Sequence, residues 1–459
     1  MPEPHNNELG EGANTAQRSD SPAQQFIQRF LKQIVSRSGL PAIVRTPGRL
    51  RVAGALAAVG LLAGCAALFV GSGPAKVVWP DVIVQLHSTK GAYIVDPKTD
   101  QVLANLTTGA LANLGATTPD GRKVYIANEA VGGRNVFVLD LASRRITATL
   151  ETGNRPKHPS VSPDGRWAMI NHWGLDNGKL RLSFIDTATD RIARVIDLDV
   201  RGTIPATVPT SMHNAWSLDS RYLFTVNRVD DELVIVDARD FSVTRKAMPS
   251  KPHYPVPSPD GRELWMVVEG RDTANPPLTI IYDLTRPEMP EVARLRQPLE
   301  GQTVVEGHHG NFSQDGRYYF MLNRGPGNNS VGTEVAVFDA KSKRFLKSIR
   351  TGSTGVGHTY NSPDGRYVVV TNYGNNVVSI IDLNRLELVK DLTVGKGRMG
   401  HIAFTRDGRF GYLSNAGDGN LHKLDMSTLS VVKEIKTADA PGAAQVLNVW
   451  TNVFEELPR

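Results

Sequence analysis

One phrase recurs seven times between residues 118 and 415, and it constrains the fold more than any other feature of the chain. Each copy joins a tight Asp-Gly or Asp-Ser turn to a short apolar run, which predicts a β-hairpin. A second phrase, an apolar run that ends in Asp, follows every copy. The copies of the first phrase are TPDGRKVYIAN (118–128), SPDGRWAMIN (162–171), SLDSRYLFTVN (217–227), SPDGRELWMVV (258–268), SQDGRYYFMLN (313–323), SPDGRYVVVTN (362–372) and TRDGRFGYLSN (405–415).

The spacing of the strand-end aspartates predicts a β-propeller. They recur every 43 to 56 residues, the length of a four-stranded blade, at Asp96, Asp140, Asp186, Asp237, Asp283, Asp339, Asp382 and Asp425. The first unit lacks an inner strand, and the apolar segment AAQVLNVWTNVF (443–454) has nothing after it. If this segment completes the first unit, residues 76–454 form an all-β propeller of eight blades closed by its C-terminal strand. If it only covers the surface, the propeller has seven blades.

The N-terminal region predicts a membrane attachment. Residues 52–71 form a run of twenty residues without a charge, while residues 21–51 carry six basic side chains and no acid. Residues 1–51, polar and then basic and amphipathic, are therefore expected in the cytoplasm, with the propeller in the periplasm. Two fates are open for residues 52–71. They stay as an inner-membrane signal anchor, or LAGC is a lipoprotein signal that is cleaved so that Cys65 carries lipid.

Composition excludes several classes of function. Lys and Arg exceed Asp and Glu by 52 to 46 without a long basic run, so we expect no nucleic-acid partner. The single cysteine excludes a disulfide framework, a cysteine-based zinc site and covalent c-type haem. The sequence contains no P-loop motif that would indicate a nucleotide-binding site.

Histidines occupy one phase of the repeat. Five of them stand six residues before the turn aspartate, His253 stands seven before Asp260, and His308 doubles the position in one unit. Equal phase means equal place in each blade, so these imidazoles should meet around one mouth of the channel and share a metal. His87, at the end of a neighbouring strand, could face the same opening, whereas His172 and His422 are expected to be ordinary surface or loop residues. The predicted metal ligands are His87, His158, His213, His253, His308, His309, His358 and His401.

The repeat over residues 76–454 resembles the YVTN and cytochrome d1-like propellers. The likeness is closest in MHNAWSLDSRYLFTVNRVDDELVIVD (212–237) and LNVWTNV (447–453), which are similar to the d1-haem domain of haem nitrite reductases. This resemblance implies an eight-bladed fold and a histidine before the turn phrase as axial haem ligand, matched here by His158, His213 and His253. The surplus of histidines is instead similar to the copper clusters of the nitrous oxide reductase propeller and thiocyanate dehydrogenase, which are seven-bladed.

Three functions follow from these observations. The first is a membrane-tethered periplasmic protein that binds copper or a d1-type haem at the histidine ring. It would act as an oxidoreductase with a periplasmic electron-transfer partner, or as a cofactor-handling protein. The second is a non-catalytic propeller that binds a partner protein or an envelope ligand through variable loops. The third, a hydrolase or lactonase, lacks support from a GxSxG motif or an acidic metal cluster at matched phase.

Overall fold

The computed structural model describes residues 78, 81–109, 111–270, 276–296, 307–325 and 331–447. These residues form eight four-stranded antiparallel sheets. Within these ranges no helix has the length and apolar character needed to cross a bilayer. The predicted segments 1–51 and 52–71, with Cys65, lie outside the described residues, as do residues 448–454 of the predicted closing segment.

The first four blades share a simple up-and-down order, in which consecutive strands pair with one another. Blade 1 contains β1 (Ile83–His87), β2 (Gly91–Asp96) and β3 (Gln101–Leu106), and blade 2 contains β4 (Ala112–Thr117), β5 (Lys123–Asn128), β6 (Asn135–Asp140) and β7 (Arg145–Glu151). Blade 3 contains β8 (Pro156–Val161), β9 (Trp167–His172), β10 (Lys179–Asp186) and β11 (Arg191–Asp199), and blade 4 contains β12 (Ala215–Trp216), β13 (Tyr222–Asn227), β14 (Glu232–Asp237) and β15 (Ser242–Ala247).

The remaining blades repeat this order. Blade 5 contains β16 (Pro252–Pro257), β17 (Glu263–Val268), β18 (Leu278–Asp283) and β19 (Glu291–Arg296), and blade 6 contains β20 (Gly307–Phe312), β21 (Tyr318–Asn323), β22 (Glu334–Asp339) and β23 (Arg344–Arg350). Blade 7 contains β24 (Val356–Asn361), β25 (Tyr367–Asn372), β26 (Val377–Asp382) and β27 (Glu387–Thr393), and blade 8 contains β28 (Met399–Phe404), β29 (Phe410–Asn415), β30 (Leu421–Asp425) and β31 (Ser430–Ile435).

The last described strand closes the ring. β32 (Ala443–Leu447) pairs antiparallel with β1, with Val84 opposite Leu447, and so becomes the fourth strand of blade 1. The two ends of the propeller therefore lie in one sheet, in which β32 covers the inner edge of β1. The predicted all-β, eight-bladed fold is confirmed. The seven-bladed alternative is wrong because the closing strand is a member of a sheet rather than a surface cover.

The repeated turn phrase owes its form to local hydrogen bonding. In blade 7, the Ser362 hydroxyl donates to Asp364, and the Asp364 carboxylate accepts the backbone N–H of Arg366 at 3.0 Å. Gly365 follows the aspartate with a φ of +68°, a left-handed conformation that glycine adopts without strain. In blade 4, Ser220 takes this position with a φ of +62°.

Apolar side chains from neighbouring blades form the cores between the sheets. One such core joins Phe224 and Val226 of blade 4 to Leu264 and Met266 of blade 5, all fully buried. Because every blade packs on two neighbours in this way, the inner strands are held rigidly around the central axis. The outermost strands, such as β11, are largely exposed.

Hydrogen bonds and ion pairs also join neighbouring blades at the periphery. Asp190, in the turn after β10, accepts hydrogen bonds from the Lys123 amine at 2.8 Å and from the Tyr125 hydroxyl at 2.7 Å. Between blades 5 and 6 the earlier blade supplies the acid and the later blade the base, since Lys343 of blade 6 lies 2.8 Å from Glu263 of blade 5.

Candidate functional site

The phase that carries the histidines forms a layer around the axis of the propeller. The position six residues before each turn aspartate supplies seven side chains, and Gln445 of the closing strand supplies the eighth. All eight line one axial cavity of about 120 Å³. The eight residues are Leu114, His158, His213, Tyr254, His309, His358, His401 and Gln445.

A β-bulge sits beside the histidine position in six of the inner strands. The pairing register shifts there between inner and second strand, for example between Gly307 and Gly310 in β20. The same irregularity occurs in β4, β8, β16, β24 and β28. A bulge bends the strand and redirects its side chains. In blade 6 the pair His308 and His309 lies within this bulge.

Seven imidazoles form a continuous cluster, called here the histidine cluster. Its members are His158, His213, His253, His308, His309, His358 and His401. The ring centres of neighbours lie 4.2 Å apart for His158 and His213, 4.4 Å for His213 and His309, and 4.3 Å for His309 and His358. The His401 ring lies 4.6 Å beyond that of His358. His253 and His308 form a second layer, with ring centres 4.6 Å apart.

Burial keeps the histidine cluster neutral. The loss of hydration lowers the pKa of His158, His213, His308, His309 and His358 well below the ordinary value, and the positive charge of each neighbour would lower it further. Burial also lowers the pKa of His401, to about 3. Neutral imidazoles keep a lone pair on one ring nitrogen, the form that binds metals.

A larger cavity of about 630 Å³, the outer cavity, opens on the other side of the histidine layer. Five members of the cluster face it: His158, His213, His308, His358 and His401. Three basic side chains, Lys157, Arg324 and Arg398, line the same space. The outer cavity thus combines neutral nitrogen ligands with positive charge.

These basic side chains stack on aromatic rings. The Lys157 ammonium lies 4.2 Å from the centre of the Trp173 ring and also contacts the carboxylate of Glu129. The Arg324 guanidinium lies 4.6 Å from the centre of the Tyr373 ring. Such stacking holds a cation in place beside the outer cavity.

Tyr373 also connects two members of the cluster. Its hydroxyl oxygen lies 2.6 Å from Nε2 of His358 and 3.2 Å from Nε2 of His308. Since a phenol has one proton, one of these imidazoles accepts a hydrogen bond and the other donates one. On the far side of the layer, the Tyr360 hydroxyl makes a similar contact with Nδ1 of His401.

His253 has the most strongly oriented ring of the cluster. Its Nδ1–H donates to the carboxylate of Glu269, and its Nε2 is buried without a hydrogen-bond partner. Arg228 holds the same carboxylate through two hydrogen bonds of 2.9 and 3.1 Å. Burial alone would raise the pKa of Glu269, but His253, Arg228 and Lys251 outweigh it and lower the pKa to about 2.

The structure brings together seven of the eight predicted metal ligands and leaves one apart. The ring of His87 is fully buried, with Nε2 2.9 Å from the carbonyl oxygen of Ala440 and Nδ1 3.2 Å from the backbone nitrogen of Thr89. Both nitrogens of His87 therefore have backbone partners within blade 1 and its closing loop. His253 lies in the cluster but behind the residues that line the two cavities.

Two histidines expected on the surface are buried instead. His172 lies in β9 and is fully buried, with Nδ1 2.9 Å from the carbonyl oxygen of Arg181. The strand register places His172, not Asn171, opposite the first residue of the inner strand, so it occupies the slot that asparagine fills in four other blades. His422 lies in β30 and is buried, with Nε2 3.0 Å from a carboxylate oxygen of Asp418.

The aromatic and charged partners of the cluster were missed at the level of sequence, although most share one phase. They stand nine residues after the turn aspartate, just beyond the end of each second strand. This position brings side chains of blades 2 to 7 to the mouth that carries the histidines. The residues are Glu129, Trp173, Arg228, Glu269, Arg324 and Tyr373. The signal lies in their phase alone, because their residue types differ.

The fold and the site together define an eight-bladed propeller with a buried polyhistidine site at one mouth of its channel. A family model for the cytochrome d1 haem domain matches residues 297–401, a segment that contains His308, His309, His358 and His401. This match and the eight-bladed fold confirm the resemblance to the cytochrome d1-like propellers. A comparison with curated proteins found no match.

Solved structures share the fold at low sequence identity. Dihydro-haem d1 dehydrogenase NirN in complex with DHE is 21% identical, with a TM-score of 0.63 over 83% of this chain and 79% of that one. The periplasmic gluconolactonase PpgL of Pseudomonas aeruginosa is 17% identical, with a TM-score of 0.52 over 80% and 99%. Hydrazine synthase of Kuenenia stuttgartiensis is 16% identical, with a TM-score of 0.51 over 72% and 96%. At these identities the likeness concerns the fold alone.

Proposed function

We propose that the propeller binds a d1-type haem in the outer cavity and acts on it, or through it, as a redox or cofactor-handling protein. The observation that carries the proposal is the lining of this one cavity by five neutral imidazoles and by the guanidinium groups of Arg324 and Arg398, beside the ion pair of Lys157 with Glu129. The match of residues 297–401 to the cytochrome d1 haem domain supports the choice of a tetrapyrrole. So does the NirN structure, which contains the ligand DHE.

The side chains present fit such a group. Nδ1 of His158 and Nδ1 of His308 are buried without hydrogen-bond partners, although both rings face the outer cavity. A buried nitrogen left without a partner is costly unless a ligand uses it. A d1-type haem is a flat ring that carries carboxylates, so it needs aromatic or apolar walls and cations at its edge.

Each group in the outer cavity has a role in holding this ligand. One cavity-facing histidine, His158 or His213 by the resemblance, would bind the iron. Arg324 and Arg398 would pair with the carboxylates, while Lys157 keeps its partner Glu129, and the aromatic rings of Trp173 and Tyr373 would contact the face of the ring. When bound, the iron tetrapyrrole supplies a redox-active metal. The remaining neutral imidazoles can accept or return a proton beside it, because Tyr373 links His308 to His358.

Copper is the alternative occupant, favoured by the number of histidines. The cluster holds seven imidazoles where a haem needs one or two, and two groups of three bring their ring nitrogens within 4.8 Å of one another. Copper binds readily to such nitrogen-rich sets. The alternative predicts at least two copper ions per chain and no tetrapyrrole.

The decisive experiment measures which cofactor the full chain takes up. The protein is expressed without added chelator, purified, and examined by visible absorption and elemental analysis, then reconstituted with d1-type haem or with copper. We expect a long-wavelength tetrapyrrole spectrum with about one iron per chain. The double variant His158→Ala, His213→Ala should lose this spectrum, whereas His422→Gln, a matched histidine outside the cluster, should keep it.

Other outcomes would replace the proposal. Two or more copper ions per chain, without a tetrapyrrole spectrum, would establish the copper alternative. A colourless protein that takes up neither cofactor would favour the non-catalytic propeller that binds a partner through its loops. A spectrum that survives the double variant would refute the placement of the ligand in the outer cavity.

The cellular location is part of the same proposal. We propose that residues 52–71 tether the propeller to the inner membrane with residues 76–454 in the periplasm, where an electron-transfer partner could reach the outer cavity. In spheroplasts, external protease should digest the propeller while a cytoplasmic marker survives. Radiolabelled palmitate on the wild-type chain, lost in Cys65→Ala, would identify the lipoprotein form over the signal anchor.

A further inference from the structure

The geometry points to a metal site within the histidine cluster, made by His213, His253 and His309 and oriented by Glu269, that binds one Cu²⁺ or Zn²⁺ ion. This site goes beyond the proposed haem site, with which it shares His213, and it can form without haem. A ring nitrogen of each of the three histidines lies within 4.8 Å of the other two. Copper and zinc are the divalent ions that imidazole ligands suit best.

The nitrogens are already close to the separations that a metal requires. Nε2 of His213 and Nε2 of His309 lie 2.9 Å apart in a hydrogen bond, so one of the two carries a proton that must move to Nδ1 when both bind a metal. Two ligands of a tetrahedral zinc site with bonds of about 2.0 Å stand roughly 3.3 Å apart. A small rotation of these two rings would therefore open room for an ion between them. His213 is only partly buried and lines both cavities, so a fourth position on the metal could face a small ligand.

His253 supplies the third ligand in a prepared state. Because its Nδ1–H donates to Glu269, the neutral ring must carry its lone pair on Nε2. This Nε2 has no hydrogen-bond partner, and the His253 side chain is fully buried. Metal-binding histidines commonly donate their other ring N–H to a carboxylate, which fixes the tautomer and the ring plane. Arg228 holds Glu269 in place by its two hydrogen bonds.

The competing group of three, His308, His309 and His358, lacks this preparation. Its ring nitrogens also lie within 4.8 Å of one another. However, Nε2 of His308 and Nε2 of His358 are both bonded to the Tyr373 hydroxyl, which fixes neither tautomer. Both groups share His309. The carboxylate therefore selects the group that contains His253 for the first ion to bind.

The test uses the full chain, freed of metal and prepared without tetrapyrrole, so that failure of the haem proposal does not affect it. One equivalent of Cu²⁺ is followed by electron paramagnetic resonance, and Zn²⁺ affinity by competition with a chromophoric chelator. We expect nitrogen couplings from three imidazoles in the wild type. Glu269→Gln should weaken Zn²⁺ binding by about 10- to 100-fold, as loss of such a carboxylate does in other sites.

Three further variants locate the ion. His253→Ala should remove one nitrogen coupling and most of the affinity. Glu263→Gln is the matched control, because Glu263 lies at the opposite end of β17 and pairs with Lys343. The Zn²⁺ affinity of this variant should equal that of the wild type. Tyr373→Phe should also bind like the wild type.

Several results would overturn the inference. It fails if the wild type binds neither ion, or if Glu269→Gln and His253→Ala both bind as tightly as the wild type. It also fails if Tyr373→Phe, and not Glu269→Gln, changes the affinity, since the first ion would then occupy the competing group. If Glu269→Gln does not fold, His213→Gln, at the partly exposed ligand, gives the same decision by the loss of one nitrogen coupling.

Discussion

The neutral histidine cluster predicts that the protein without metal or haem is unstable in mild acid. All seven imidazoles have a pKa lowered by burial, so the folded state resists protonation. In the unfolded chain the same side chains titrate near 6.5. Below that pH the unfolded state binds more protons than the folded state. The stability that these histidines contribute is therefore present above about pH 6.5 and is lost as the pH falls toward their folded pKa values.

The magnitude follows from the number of histidines. At pH 5.5 an unfolded histidine is about nine-tenths protonated, which favours unfolding by about 1.4 kcal/mol for each group that stays neutral when folded. Six of the seven have a pKa well below the ordinary value, and together they amount to about 8 kcal/mol. The whole stability of a protein is about 5–15 kcal/mol, so the loss between pH 7.5 and 5.5 should be large enough to unfold the propeller or open its histidine face.

Urea unfolding at pH 7.5, 6.5, 6.0 and 5.5 measures this loss, with tryptophan fluorescence and far-ultraviolet circular dichroism as two probes. His401→Gln should reduce the loss by about 1.4 kcal/mol, because one fewer imidazole is kept neutral. Arg344→Gln, at an exposed residue that does not titrate in this range, is the control and should leave the loss unchanged. A difference below about 2 kcal/mol between pH 7.5 and 5.5 in the wild type would refute the reasoning, since the cluster would then accept protons while folded.

Two further predictions concern the scaffold of the site. Asp190→Ala should lower the free energy of unfolding by about 2–3 kcal/mol, because it leaves the Lys123 amine and the Tyr125 hydroxyl without this acceptor between blades 2 and 3. Urea unfolding at pH 7.5 measures the change. A midpoint equal to that of the wild type would contradict the prediction. Gly357→Ala should displace the Tyr373 ring, which lies 2.2 Å from the position of the new Cβ, and cost about 1–3 kcal/mol. Retention of both wild-type stability and wild-type haem affinity in this variant would show that Tyr373 does not hold the site.

The fold could be predicted from the sequence because its strongest determinants are local. The serine or threonine and the aspartate of each turn phrase form their hydrogen bonds within five residues, so the same pattern produces the same hairpin in each of these blades. Blade 4 keeps the turn although Ser220 replaces glycine. The closing strand was predictable for a different reason: a lone apolar segment at one end matched a missing inner strand at the other.

The histidine layer could also be predicted, but its internal order could not. Phase alone placed the imidazoles at one level, whereas the bulges decide which of two adjacent residues faces the axis. In blade 5, Tyr254 takes the axial place and His253 lies behind it, while in blade 6 His309 lines the axial cavity and His308 the outer one. His87 ends the strand next to the inner strand, so its ring meets the closing loop instead of the cluster.

The partners of the histidines give the two sides of the layer different chemistry, and this difference bears on what each side can bind. Toward the outer cavity lie Arg324, Arg398 and Lys157, which favour an anionic ligand. Behind the layer, Glu269 is paired with Arg228 and directs one neutral nitrogen inward. A carboxylate-bearing ring and a small cation therefore have different partners on the same cluster, with His213 common to both. Because His213 borders both places, occupation of one should alter the affinity of the other, and by linkage the effect must be equal in both directions.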